Sequence, residues 1–246
     1  MNLRHHPFAV EAFFDASVVL TYAVDVEEAR QWVPPCVELD LLDDQTAFFA
    51  VAMVTTRHLR PAGFPKWFGQ DFFLTGYRLF VRYRAQNGRS LRGLYILRSE
   101  TDRWRMVLLG NLFTQYQYHH VKTSVDAFWP CWSVNCRGSG LEVAIKTTND
   151  EEPPLPAGSP FRDWHQARLF AGPMPFTFSF DSKKSRVVIV EGQRETWKPR
   201  PVLVEKAKVG FIEEMGWKTA RLASAFVVRN VPYRWKAGRI ETWSPG

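Results

Sequence analysis

One short stretch of this chain alternates side chains that could hold or protonate a polar molecule: Tyr116, Tyr118, His120 and Lys122. On an extended strand successive side chains point to opposite faces, so these four would share one face. Phenol, imidazole and ammonium groups in one row can form the wall of a pocket for an anionic small molecule. His120 or Tyr116 would then be the candidates for proton transfer, in lyase- or isomerase-type chemistry if the protein is an enzyme. A second row, Arg78, Arg82 and Arg84, lies about forty residues earlier. Guanidinium groups suit planar, two-point recognition of carboxylates, and Arg outnumbers Lys along the chain. The same alternation also describes a plain solvent-facing strand, and spacing alone does not separate the two.

Other chemistries lack a handle. His5, His6, His58, His119, His120 and His165 include no zinc-ligand spacing, and the adjacent His119 and His120 would point to opposite faces. There is no Gly-x-Ser-x-Gly elbow and no phosphate-cradling loop; Arg137-Gly138-Ser139-Gly140 is too short and reads as a hairpin turn. Neither a metal nor a cofactor is expected. Cys36, Cys131 and Cys136 are too few for a disulfide framework, and the last two would face opposite sides of one strand.

These residues need strands to position them. Asn87-Gly88 between two β-type runs is a hairpin signal, since a two-residue type I′ turn demands positive φ at both positions. That turn pairs Gln86 with Arg89, Arg82 with Gly93 and Arg78 with Leu97, and puts Tyr95 on the arginine face. Gly93 would leave room beside Arg82 for a ligand or a neighbour. Both faces of the hairpin are mixed, unlike a sheet wetted on one side. Further strands are expected at 17–24, 37–42, 46–59, 116–125, 132–136, 141–148, 176–180, 186–195 and 223–229. The 46–59 run lacks clean alternation, so both its faces should be covered. Asp25 caps a helix over 26–33. A capping-box-like Ser99 and Asp102 start a second helix over 102–109, closed by Gly110-Asn111. A third spans 161–170. The Pro-rich, acidic 149–160 stretch reads as a loop, giving one mainly β domain over residues 1–246 with about ten strands.

Composition narrows the partners. At 46% hydrophobic and 23% charged the chain is too apolar for disorder, and its 15% aromatic content suits a sheet. The net charge of +7 invites nucleic acid, but the arginines scatter from Arg4 to Arg239 without a basic helix. The longest apolar run, Ala47 to Val54, is far below the roughly 18 residues of a membrane span, and Glu11 and Asp15 break any leader-like core. A cytoplasmic protein is expected, with a small organic ligand as partner, no nucleic acid, no membrane, and a homo-oligomer allowed for.

Gly76 to Tyr83 and Leu91 to Ser99 resemble the core hairpin of the YqjF-like family, a domain of unknown function in the acetoacetate decarboxylase-like superfamily. The likeness continues at Gly110-Asn111-Leu112-Phe113, Tyr116, Tyr118-His119 and Phe170-Ala171-Gly172-Pro173. It resumes at Trp197 to Pro201, Ala225 to Val228 and Val231 to Lys236, covering roughly residues 3 to 240. The resemblance implies an α+β, mainly β fold: a strongly curled, barrel-like antiparallel sheet enclosing a pocket, with a few short helices outside. Acetoacetate decarboxylases form a Schiff base on a lysine in a Gly-Phe/Tyr-Pro-Lys-Lys motif. Gly63-Phe64-Pro65-Lys66-Trp67 looks similar but precedes the hairpin, whereas the family lysine follows it. There the chain reads Gln115-Tyr116-Gln117-Tyr118, and Lys122 comes six residues late. Leu74 and Gly76 replace polar residues that many relatives carry ahead of the arginine, while Arg78 is kept. The expectation is therefore a pocket for a carboxylate-bearing metabolite without Schiff-base chemistry, bound by Arg78, Arg82, Tyr95, Tyr116, Tyr118, His120 and Lys122. The rival is a basic Trp/Arg-rich module contacting a protein or nucleic acid, which would need Trp197, Trp217 and Trp235 exposed.

Overall fold

A computed structural model describes residues 3–150, 152–171 and 174–244, so Gly172 and Pro173 of the family motif lie outside the described residues. Within it the strands are β1 (Val10–Asp25), β2 (Glu38–Leu39), β3 (Thr46–Pro61), β4 (Gln70–Arg84), β5 (Ser90–Thr101), β6 (Tyr118–His120) and β7 (Lys122–Asp126). They continue as β8 (Cys131–Arg137), β9 (Leu141–Thr147), β10 (Phe176–Asp181), β11 (Arg186–Gln193), β12 (Arg200–Val209), β13 (Arg221–Trp235) and β14 (Arg239–Thr242). The helices are α1 (Val26–Arg30), α2 (Trp104–Phe113), α3 (Trp164–Ala171) and α4 (Gly210–Glu214).

All fourteen strands belong to one sheet. Its middle runs β11–β10–β5–β4–β3–β1–β13, and a short β11–β13 pairing, Gly192 with Trp235 and Gln193 with Arg234, closes these strands into a ring. An arm of β12, β9, β8 and β7 continues outward from β13. The pairing is antiparallel except where β10 and β6 run parallel to β5. Mainly β with short helices is what the sequence implied; the parallel pairs are an addition.

Strands β1 and β3 are long because they are buried on both faces. Phe49, Val51 and Met53 join Leu20, Tyr77, Leu79 and the arm residues Trp132, Val134 and Ile145 in the main core. Phe48, Ala50, Ala52 and Val54 face the other way, toward α3 and the Phe226 region. Every residue of β3 from Thr46 to Val54 is buried, as the missing alternation implied. Asp25 caps α1 by accepting from the Glu27 amide at 2.8 Å.

Several expectations shift. The hairpin turns one residue wider: Gly88 N donates to Ala85 O and Ala85 N to Arg89 O, and only Gly88 has positive φ. That is a type I turn with a glycine bulge, and it sets Arg82 opposite Arg92 and Arg78 opposite Ile96; a second register shift at Tyr77/Arg78 then puts Tyr77 opposite Arg98. Gly93 lies opposite Val81, and its open side is filled by β10: an added Cβ would sit 2.4 Å from Phe176 O. The capping box is absent. Asp102 accepts from Phe73 N at 2.8 Å, Arg103 caps α2 without a side-chain bond, and the helix runs through Gly110 to Phe113. The expected 116–125 strand is split into β6 and β7. β12, α4 and β14 carry no sequence prediction; in the two strands Lys, Glu and Arg mask the periodicity.

Candidate functional site

On the face away from the main core lies a cavity of about 490 Å³. Its walls are Phe14 and Val19 of β1, Ala52 and Val54 of β3, Leu74 of β4 and Ile96 of β5. Met106, Leu109 and Phe113 of α2 form one side, and Trp197, Phe226 and Trp235 another. Among these apolar groups stand Arg78, Arg194, Tyr116, Tyr118, Tyr233 and His6.

Arg78 projects from β4 over Gly76. A Cβ on Gly76 would fall 2.7 Å from Arg78 Nε and 2.8 Å from Nη2, so the glycine makes room for the guanidinium. Among the described residues no group accepts a hydrogen bond from Arg78 Nε and no carboxylate pairs with this arginine. Burial lowers its pKa, opposed by the phenols of Tyr233, Tyr118 and Tyr116. An arginine stays charged in such a place, so a cation stands against apolar walls without a counter-ion. Burial also pushes the Tyr116 and Tyr118 phenols far above their ordinary values, with Arg78 opposing. They remain neutral hydroxyls, able to donate to an anion.

Local structure fixes these phenols. Asn111 of α2 brackets the Tyr118 backbone, donating to its carbonyl at 2.8 Å and accepting from its amide at 2.9 Å. Gly110 lets the Tyr118 ring press on the helix, since a Cβ there would lie 2.3 Å from the ring. Tyr116 packs 6.4 Å away, centroid to centroid.

Arg194 follows β11 and lies over Trp197 at 4.5 Å, with Nη1 donating to Tyr233 Oη at 3.2 Å. Burial lowers its pKa too. It borders both the cavity and an outer, charged groove holding Asp15, Arg57, His58, Lys66 and Arg234. Arg60 shares that border but is held by Glu11 at 3.0 Å. His6 is 9% exposed, its Nδ1 has no hydrogen-bond partner among the described residues, and burial depresses its pKa.

Of the residues expected from sequence, the fold brings together Arg78, Tyr116 and Tyr118. Arg82 is drawn away: Arg82 Nε donates to Asp40 at 2.6 Å, and Arg92 binds the other carboxylate oxygen. Tyr95 packs against the main core. His120 stacks on Trp104, with centroids 4.3 Å apart and planes within 4°, outside the cavity. Lys122 is exposed on β7, paired in register with Arg137. The shared face fails because Gln117 takes φ of 51° and the chain leaves β5 after β6, so period two does not run through residues 116–122. Arg194, Tyr233 and His6 were not anticipated. Tyr233 lay inside a family motif, but nothing marked its direction. Among the described residues no lysine lines the cavity: Lys66 sits in an exposed turn beside the outer groove. No described cluster of His, Cys, Asp and Glu could hold a metal, and no described helix is long and apolar enough to cross a membrane. Trp217 is buried, while Trp197 and Trp235 pack toward the cavity.

The sequence profile of DUF2071, described as an uncharacterized conserved protein, matches residues 13–239. The chain belongs to this family. Its fold is shared with solved structures at low identity. Acetoacetate decarboxylase from Legionella pneumophila superposes with a TM-score of 0.62 at 12% identity, covering 96% of this chain and 88% of that one. An acetoacetate decarboxylase-like enzyme from Sphingomonas wittichii RW1 gives 0.59 at 9%, covering 98% and 96%. The enduracididine biosynthesis enzyme MppR, in complex with pyruvate, gives 0.58 at 12%, covering 95% and 90%. No curated protein matches the chain. DUF2071 membership and these folds agree with the superfamily resemblance read from the hairpin motifs.

Proposed function

We propose that the cavity binds a small organic carboxylate, with Arg78 as its anchor. The observation that carries this reading is a buried guanidinium facing apolar walls without an acidic partner. A bare buried cation is costly, and an arriving carboxylate would relieve it. Tyr116 and Tyr118, kept neutral by burial, add donors around the same group. Pyruvate bound to MppR, a protein of this fold, fits the same ligand chemistry. Anchoring here works through charge and hydrogen bonds, not through an amine, because the cavity's basic groups are arginines and a histidine. A contact module is disfavoured by Trp197, Trp217 and Trp235, which pack inward.

Titration calorimetry with monocarboxylates and their uncharged amides tests the reading. The acids should bind at least tenfold more tightly than the amides, the scale of a charge-assisted hydrogen bond. Arg78→Met should abolish that preference while keeping or raising thermal stability, since it removes an unpaired buried charge. Equal binding of acid and amide would sink the proposal, as would an undiminished preference in Arg78→Met. A borohydride-trapped adduct between a keto acid and any lysine would overturn the non-amine part.

A further inference from the structure

The shape and polarity of the cavity specify more than a charge. We infer that its ligand is an amphipathic monocarboxylate, with its head on Arg78 and a hydrocarbon body of roughly ten carbons along the apolar wall. This rests on the carboxylate reading above and adds the tail. A space of about 490 Å³ is far larger than a keto acid of pyruvate's size. At about 30 Å³ per group, a water's share of liquid volume, it holds on the order of sixteen methylene-sized groups; setting aside about three for the carboxylate head leaves a chain on the order of ten carbons.

The anchor has polar neighbours of its own. Arg78 has Tyr116, Tyr118 and Tyr233 around it, each felt electrostatically by its guanidinium. Much of the remaining wall is hydrocarbon or aromatic, including Val54, Leu74, Ile96, Met106, Phe226 and Trp235. Such a surface gains free energy when covered by apolar groups and gains little from a small polar ligand. α2 carries the same character outward: Leu109 and Phe113 line the cavity, while Leu108 is 70% exposed and Leu112 45% exposed. Arg194 does not call for a second carboxylate, because its guanidinium already rests on Trp197 and bonds Tyr233.

Trp197 and Trp235 in the wall make tryptophan fluorescence a readout, with calorimetry as the check. Linear saturated acids from butanoate to hexadecanoate, their alcohols, and decanedioate would be titrated below their aggregation limits. Kd should fall about fourfold per added methylene and then level off or reverse near ten carbons. Decanol should bind at least tenfold more weakly than decanoate. Filling the wall with Ala52→Phe, or with Leu74→Phe if the first variant folds poorly, should move the optimum to shorter acids. If butanoate or pyruvate binds as tightly as decanoate while Arg78→Met still abolishes binding, the tail is refuted and the carboxylate reading stands. Decanol equal to decanoate refutes the carboxylate reading and this inference with it. Decanedioate tighter than decanoate refutes the monocarboxylate, and an unmoved optimum in both filled variants refutes the placement of the tail.

Discussion

Two charges are buried on the same hairpin, and they never meet. Arg78 faces the cavity, whereas Glu100 lies opposite Thr75 on the face of Tyr77, within the main core. Adjacent residues on a strand point apart, so the buried carboxylate of this hairpin cannot neutralise the arginine. Glu100, 2% exposed, instead accepts from Tyr77 Oη at 3.0 Å and stands 3.9 Å from Arg98. Burial raises its pKa, outweighing the Tyr77 hydrogen bond and the Arg98 charge. The native carboxyl thus keeps its proton to higher pH than the unfolded one. Stability therefore falls as pH rises from the ordinary glutamate value through the raised native one. Glu100→Gln keeps an acceptor for Tyr77 and removes the titration. It should match the wild type near pH 4 and exceed it at pH 7 by a Tm on the order of 2 °C or more, measured by differential scanning calorimetry. An equal or lower Tm at pH 7 would show that the ionised carboxylate is stabilised by its partners.

At the scale of elements, β4 places the anchor and Gly76 gives it space. Glycine inside a strand ordinarily weakens it by roughly 0.5–1 kcal/mol relative to alanine. Here the atoms that a Cβ would meet are the far end of the flexible Arg78 side chain, not backbone. Gly76→Ala should therefore leave stability within about 1 kcal/mol of wild type and displace the guanidinium. Carboxylate affinity should drop tenfold or more, and a loss of stability without loss of affinity would contradict this role. This strand was also the most legible part of the chain. Its aromatic and β-branched residues, the Asn87-Gly88 turn and the strand direction of Arg78 are local signals. So are the long β3 and the Asp25 cap, which depend on neighbours a few residues away. The α2–β6 region was misread because its geometry is tertiary: Gly110 is a seat for the Tyr118 ring, and Asp102 serves Phe73 of a different strand. His120 and Lys122 fell away with the straight strand that was to carry them, and Arg82 was claimed by Asp40, forty-two residues off.

At the scale of the molecule, the cavity depends on closing the ring, and closure is where pairing is thinnest. β1 pairs with β3 from Val10–Pro61 to Asp25–Thr46, and with β13 over a similar length. By contrast β10 meets β5 only through Phe176 to Phe178, and β11 meets β13 only through Gly192 and Gln193. This is why Arg194 could not be read from sequence: its position one residue past β11 has meaning only once that strand reaches β13. Proteins open first at their least supported cooperative unit. β10, β11 and β14, joined to one another and strand-paired with the rest of the sheet through these two short seams, should thus exchange amide hydrogens before β1, β3 and β13. A ligand lying between Arg78 of β4, Thr177 of β10 and Arg194 would bridge the opening and must leave before the unit swings out. With the ligand at about a hundred times its Kd, exchange in β10 and β11 should slow on the order of a hundredfold. The outer arm, β7 to β9, contributes none of the cavity's lining residues and should be unaffected. Protection spread evenly over the arm and the ring, or confined to the arm, would place the ligand elsewhere and remove the link between ring closure and binding.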